Sequence, residues 1–202
     1  MTRKSKNKPL KKVIGIFCEG PSEVAYFKML SRKYRGGNVW TQPIGLEIES
    51  MSSMQGTKLI SAVIDKVGPL AQKRQVNAVF AVFDRDKLTH EDIQRAQSLA
   101  RKNGITIIFS STNFEVWILL HFKYFSRAYT KNELNRKLSA PDKFNQDYSR
   151  FKGSTYDHYL FDRVAIAIKN ARRLSMTQRE LLMDDPYVNI QDYIKMIFGR
   201  ED

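Results

Sequence analysis

The chain of 202 residues has a single cysteine, Cys18. No intramolecular disulfide can form, and a reducing cytoplasm is the expected location. Long apolar runs are also missing. None reaches the roughly 18 residues of a membrane-spanning helix, so no membrane partner is expected. The start, Met1-Thr2-Arg3-Lys4-Ser5-Lys6-Asn7-Lys8, is basic and lacks the apolar stretch of a secretory signal. Internal repeats are absent. Acids are scarce: 21 Asp and Glu stand against 34 Lys and Arg, giving +13 and a pI near 9.8. Such a balance suits a polyanionic partner, nucleic acid first. With 42% hydrophobic and 27% charged residues, the composition is that of a folded globular domain rather than a disordered chain.

The charge is unevenly spread. Residues 1–12 carry six basic residues and no acid, and residues 13–122 carry 13 basic and 10 acidic. Residues 123–181 carry 13 and 6, and residues 182–202 carry 2 and 5. The excess lies in a leader over 1–12, expected to be disordered, and in the segment after residue 122. The expected organisation is one domain over 13–202, with an α/β core over about 13–122 and a more helical extension over 123–202.

Three short apolar runs read as buried strands: Val13–Cys18, Ala78–Phe83 and Ile105–Phe109. Leu46-Glu47-Ile48-Glu49 alternates like a half-buried strand. Helical spacing predicts helices from Glu23 to about Lys33 closed by Gly36-Gly37, from a Thr57 cap to Gly68-Pro69, and from about Glu91 to Lys102 closed by Asn103-Gly104. Phe114–Phe122 is apolar all round and predicts a buried helix. Further helices are expected near 130–138, 162–174 and 190–198, with a Gly, Ser and Tyr-rich loop over about 145–160. Buried strands alternating with helices indicate an α/β fold with a mainly parallel sheet, whose ligands gather beyond the carboxyl ends of the strands.

Acids sit at those ends. Glu19 follows the first strand, Asp84 and Asp86 follow the Ala78–Phe83 strand, and Glu115 comes shortly after Ile105–Phe109. Glu23, four residues after Glu19, can turn back to the same place. Five carboxylates together repel one another and raise one another's pKa values, which a Mg²⁺ or Mn²⁺ ion bound by hard oxygen ligands relieves. Each acid has a structural alternative: a turn for Glu19, Asp84 and Asp86, a helix-dipole contact for Glu23, and a capping box from Thr112 for Glu115. His121 reads as a core or cap histidine, Trp117 as core, and Lys152 either as a solvated charge or as a site cation.

Glu19-Gly20-Pro21-Ser22-Glu23, Phe83-Asp84-Arg85-Asp86 and Asn113-Phe114-Glu115-Val116-Trp117-Ile118-Leu119-Leu120-His121-Phe122, in that order, resemble the RloB-like family. The resemblance implies a Toprim-like domain of bacterial phage-defence and restriction-linked loci, with abortive infection as its setting and an ABC- or AAA-type ATPase as partner. It also implies a site in which Glu19, Glu23, Asp84, Asp86 and Glu115 hold metal and Glu19, Asp84, Asp86 and Lys152 serve catalysis, with Ser111 as a further match. Asp185-Pro186-Tyr187-Val188-Asn189 departs from the Asn-Pro-x-Thr expected near the family's C-terminus.

The expected activity is metal-dependent hydrolysis of DNA or RNA phosphodiesters, tRNA among the candidates. One alternative is a non-catalytic nucleic-acid-binding or sensor subunit. The other is a haloacid-dehalogenase-like phosphatase, with Asp84 as nucleophile and Ser110, a later lysine and Asp184-Asp185 in support. That nucleophile normally ends the first strand, and here a Glu-ending strand precedes it.

Overall fold

The computed structural model describes residues 12–35 and 45–199. Residues 1–11 of the basic leader and the Gly36-Gly37 pair lie outside the described residues. The strands are β1 (Lys12–Cys18), β2 (Gly45–Ser50), β3 (Gln75–Asp84), β4 (Ile105–Ser111) and β5 (Tyr187–Val188). They form one sheet in the order β2-β1-β3-β4-β5. β1 to β4 run parallel, and β5 runs antiparallel to β4. The helices are α1 (Pro21–Arg35), α2 (Gly56–Lys73), α3 (His90–Lys102), α4 (Glu115–Leu120), α5 (Lys131–Leu138), α6 (Tyr148–Phe151), α7 (Asp157–Leu160), α8 (Val164–Leu174) and α9 (Ile194–Phe198). The expected α/β, mainly parallel fold is present.

The apolar strands are buried on both faces because their alternate side chains feed two cores. Ile14, Ile16, Cys18, Phe80, Val82 and Ile108 join α1, α4, α8 and α9 in one core. Phe17, Val79, Ala81, Phe83 and Phe109 join α2 and α3 in the other. β2 is the half-buried edge: Leu46 and Ile48 pack on the first core, while Glu49 pairs with Lys66 of α2 at 2.7 Å. From β1 the chain moves to β2 on one side, and from β3 it moves to β4 on the other. The direction of winding therefore reverses between β1 and β3, the place where open α/β sheets bind ligands.

The structure departs from several expectations. Gln55, not Thr57, stands at the N-cap of α2, with no side-chain cap bond. α2 runs through Gly68-Pro69 to Lys73. Pro69 is exposed, and burial of Leu59, Ile60 and Val63 outweighs the one backbone hydrogen bond its ring removes. Thr112 does not cap α4; its Oγ1 donates to the Tyr129 carbonyl (3.0 Å) and to the Asp185 carboxylate (3.2 Å). The segment over 145–160 holds α6 and α7 around stacked rings of Phe144, Tyr148, Phe151, Tyr156 and Tyr159. β5 was not anticipated, because two residues give no periodicity to read.

β5 is held by a side chain that imitates a strand. Asn189 Oδ1 accepts from the Phe109 N–H (2.7 Å), and its Nδ2 donates to the Ile107 carbonyl (3.1 Å). The divergent Asp185–Asn189 segment thus has a structural task at both ends, with Asp185 receiving Thr112 and Asn189 completing β4. Between α1 and α4, fully buried His121 joins two elements. The Trp117 carbonyl can only accept, so Nδ1–H donates to it (3.0 Å) and Nε2 accepts from the Tyr26 hydroxyl (3.0 Å). Both ring nitrogens are satisfied, as expected of a core histidine.

Two predictions follow from these contacts. Asn189→Ala leaves the Phe109 N–H and the Ile107 carbonyl without their partner and costs about 1–3 kcal/mol in chemical denaturation. Burial lowers the His121 pKa to about 3. The unfolded imidazole takes up a proton below about 6.5, so this contribution is full above that pH and is lost as pH falls towards 3, at up to about 1.4 kcal/mol per unit. Melting curves across that range have a shallower acid limb in His121→Gln than in the wild type.

Candidate functional site

Glu19 continues the ladder beyond β1, its N–H donating to the Val82 carbonyl at 2.8 Å. Its carboxylate accepts from Gln55 Nε2 (2.5 Å) on one oxygen and from the Asp84 N–H (3.2 Å) on the other. The ends of β1 and β3 are therefore tied directly through an acid. Asp84 closes β3, and the nearby Phe114 backbone partly eases the burial of its carboxyl. Glu23 lies in the first turn of α1 and Glu115 opens α4; both are buried, at 4% and 3% exposure. Asp86 adopts φ +36°, a conformation Asp tolerates better than most residues, and its N–H donates to the Thr112 carbonyl (3.2 Å). Lys152 Nζ lies 3.8 Å from Glu115 Oε1. All six residues line one cavity of about 440 Å³.

Arg85, between the two aspartates, turns away from that cavity. Its Nη2 donates to the carbonyls of Leu181 (2.7 Å) and Leu182 (2.9 Å). Asp84 and Asp86 face the site while the residue between them anchors the segment leading into β5.

The site is electrostatically loaded. Desolvation raises the pKa of Glu19, opposed by the hydrogen bonds from Asp84 N–H and Gln55. Desolvation, then the charges of Glu115 and Glu19, push Glu23 up to about 7. Asp84 is raised furthest, by desolvation and then by Glu23, Glu115 and Glu19. It is half-buried and lines the cavity together with those acids. Glu115 is raised by burial and eased by Lys152 and Lys131. Five carboxyls share this space with Lys87, Lys131 and Lys152.

A protein-family model described as "RloB-like protein" matches residues 14–197. The chain belongs to the RloB-like family. Comparisons with curated proteins and with solved structures find no match.

Several residues lining the cavity of this RloB-like protein carry no signal in the sequence. Lys131 is one of many lysines after residue 122, placed only because the Thr130–Glu133 capping box starts α5 there. Gln55 and Asn113 are ordinary polar residues until the fold brings them to the acids. Lys152 is held in place by the aromatic cluster. The Tyr156 hydroxyl meets Tyr148 Oη (3.1 Å) and accepts from the Gly153 N–H (3.3 Å). Gly153 has φ +85°, and a Cβ there would lie 3.1 Å from Pro21 Cβ, so glycine lets the Lys152 turn close onto the start of α1.

Ser111 does not reach the cavity; it is buried and pairs with Tyr187 of β5. The phosphatase arrangement is likewise not assembled. Ser110 is the register partner of Asp84 but does not line the cavity, Asp184 accepts from the Glu180 N–H (2.8 Å), and Asp185 receives Thr112.

Among the described residues no three His, Cys, Asp or Glu side chains form a ready ligand set for a metal ion. Glu19 is engaged on both oxygens, and the other acids stand under mutual repulsion. The donor chemistry still fits a hard divalent cation: carboxylate oxygens, with space for retained water. Glu19, Asp84 and Asp86, or Glu23 and Glu115, are the residues able to hold one.

The burden on Glu23 is measurable without a cation. An unfolded glutamate ionises near 4.5 and the folded one near 7. Its cost is absent below 4.5 and complete above 7. In EDTA at pH 8, Glu23→Gln raises stability by on the order of 1–3 kcal/mol, and the gain disappears below pH 4.5. Thermal denaturation of both proteins across this range checks it.

Proposed function

We propose that this protein is a metal-dependent nuclease hydrolysing phosphodiester bonds of DNA or RNA. One observation carries the reading: Glu19, Glu23, Asp84, Asp86 and Glu115 meet Lys131 and Lys152 in one cavity at the carboxyl edge of the sheet, where the winding reverses. A purely structural set of turn and cap residues has no reason to bury like charges together. The Toprim-like character, the bacterial phage-defence role and an ABC- or AAA-type ATPase partner come with the family resemblance and form part of the same proposal.

Glu19, Asp84 and Asp86 would hold Mg²⁺ or Mn²⁺, which would supply Lewis-acid polarisation of the phosphate and ease deprotonation of an attacking water. The rest falls to the chain. Lys152 and Lys131 face the cavity and offset charge developing on the phosphate oxygens. A buried carboxyl ionising close to neutrality is suited to taking the proton of the water, and Glu23 is that group. Gln55 orients Glu19. Exposed basic residues after position 122 hold the backbone without reading sequence.

Non-catalytic nucleic-acid binding is the second reading, favoured by the lack of a ready ligand set among the described residues. Incubation with plasmid DNA and with total RNA in Mg²⁺, Mn²⁺ or EDTA separates the two. The nuclease cuts one of them in Mg²⁺ or Mn²⁺ and neither in EDTA. Asp84→Asn combined with Asp86→Asn abolishes cutting and removes the rise in melting temperature that Mn²⁺ gives the wild type. Lys152→Ala lowers the rate by about 10²-fold. Cleavage that survives the double substitution overturns the proposal.

A further inference from the structure

Asn113 is 3% exposed and lines the acid cavity, and neither end of its carboxamide has a hydrogen-bond partner. The polar groups beside it are engaged: Thr112 is bonded to Tyr129 and Asp185, and the carbonyl of Asn113 itself receives the Val116 N–H (3.0 Å). Only the side chain is left over. A buried amide with both ends unpaired is costly. Its position relieves no other strain, since the backbone contacts that start α4 run through main-chain atoms. Stability alone would favour an apolar side chain there.

We infer that Asn113 is a substrate-binding residue of the proposed nuclease, its Nδ2 donating to a non-bridging oxygen of the phosphodiester. This rests on the nuclease reading of the cavity. Of the groups around that space, the acids can only repel an anion once ionised. The lysines attract it as point charges on flexible stems. Asn113, fixed between β4 and α4, is a buried neutral donor with no partner of its own, and it gives the phosphate one defined direction. Its Oδ1, equally without a partner, is left to accept from a water or sugar hydroxyl accompanying that phosphate. The amide is kept unpaired in the free protein so that it can be paired in the complex.

The test uses the full chain and two substitutions. In Asn113→Leu the branched heavy-atom outline is kept and the polar atoms are removed. In Asn113→Asp the shape is kept, an oxygen replaces the donor, and one negative charge is added. The probe is a fluorescein-labelled single-stranded oligonucleotide in Ca²⁺, read by anisotropy, alongside the melting temperature of the free protein. The expected result is that Asn113→Leu melts no lower than wild type yet binds the probe about tenfold more weakly or worse, and that Asn113→Asp binds it more weakly still. A fall in melting temperature for Asn113→Leu makes the amide structural and overturns the inference, as does wild-type affinity in either variant. Tighter probe binding by Asn113→Asp would place a cation rather than the phosphate on this residue and also overturns it. Wild-type protein that binds the probe but never cuts nucleic acid in Mg²⁺ or Mn²⁺ removes the nuclease reading without touching this result.

Discussion

Like charges resist burial side by side, and this protein buries them at the ends of its central strands. Asp84 and Glu23 lose solvation and meet the charges of neighbouring acids, while Glu19 is held by an N–H at the end of β3 and by Gln55. Nothing local favours such an arrangement. It persists because the strands that present it are fixed by two apolar cores, one on each side of the sheet. The core supplies the free energy, and the carboxyl edge spends part of it. Stored repulsion of this kind is released by a proton or by a cation.

Much of this was legible in the chain. Three apolar runs, each ending at or near an acid, placed β1, β3 and β4 and therefore the carboxyl edge, because a run buried on both faces has few options in a domain of this size. The Asn103-Gly104 stop was equally plain, with Gly104 at φ +63° just past the cap of α3. What escaped notice depends on contacts distant in sequence. Asn189 completes β4 from 80 residues away, and Lys131 reaches the acids only because α5 begins where it does. Local chemistry also misled at Thr112. The Thr-x-x-Glu spacing suggests a capping box, but Asp185 and the Tyr129 carbonyl compete for the hydroxyl and leave Glu115 to the cavity. Pro69 shows the same lesson in reverse, a breaker tolerated because the other face of its helix is buried.

The helical part after residue 122 is continuous with the sheet domain in its packing. It supplies β5, the aromatic bed beneath Lys152, and the α8 and α9 side chains that finish the first core. The cavity accordingly has two sources. Strand ends and the starts of α1 and α4 give the acids, and the later helical part gives Lys131 and Lys152 as their counterweight. The basic excess of the chain meets its acidic minority at this seam.

Arg85 adds a mechanical link to this chemistry. Its guanidinium grips the carbonyls of Leu181 and Leu182, while the residues on either side of it point their carboxyls into the cavity. The backbone that carries Asp84 and Asp86 is thus tied, through the side chain between them, to a stretch of chain about a hundred residues later that lies outside their cavity.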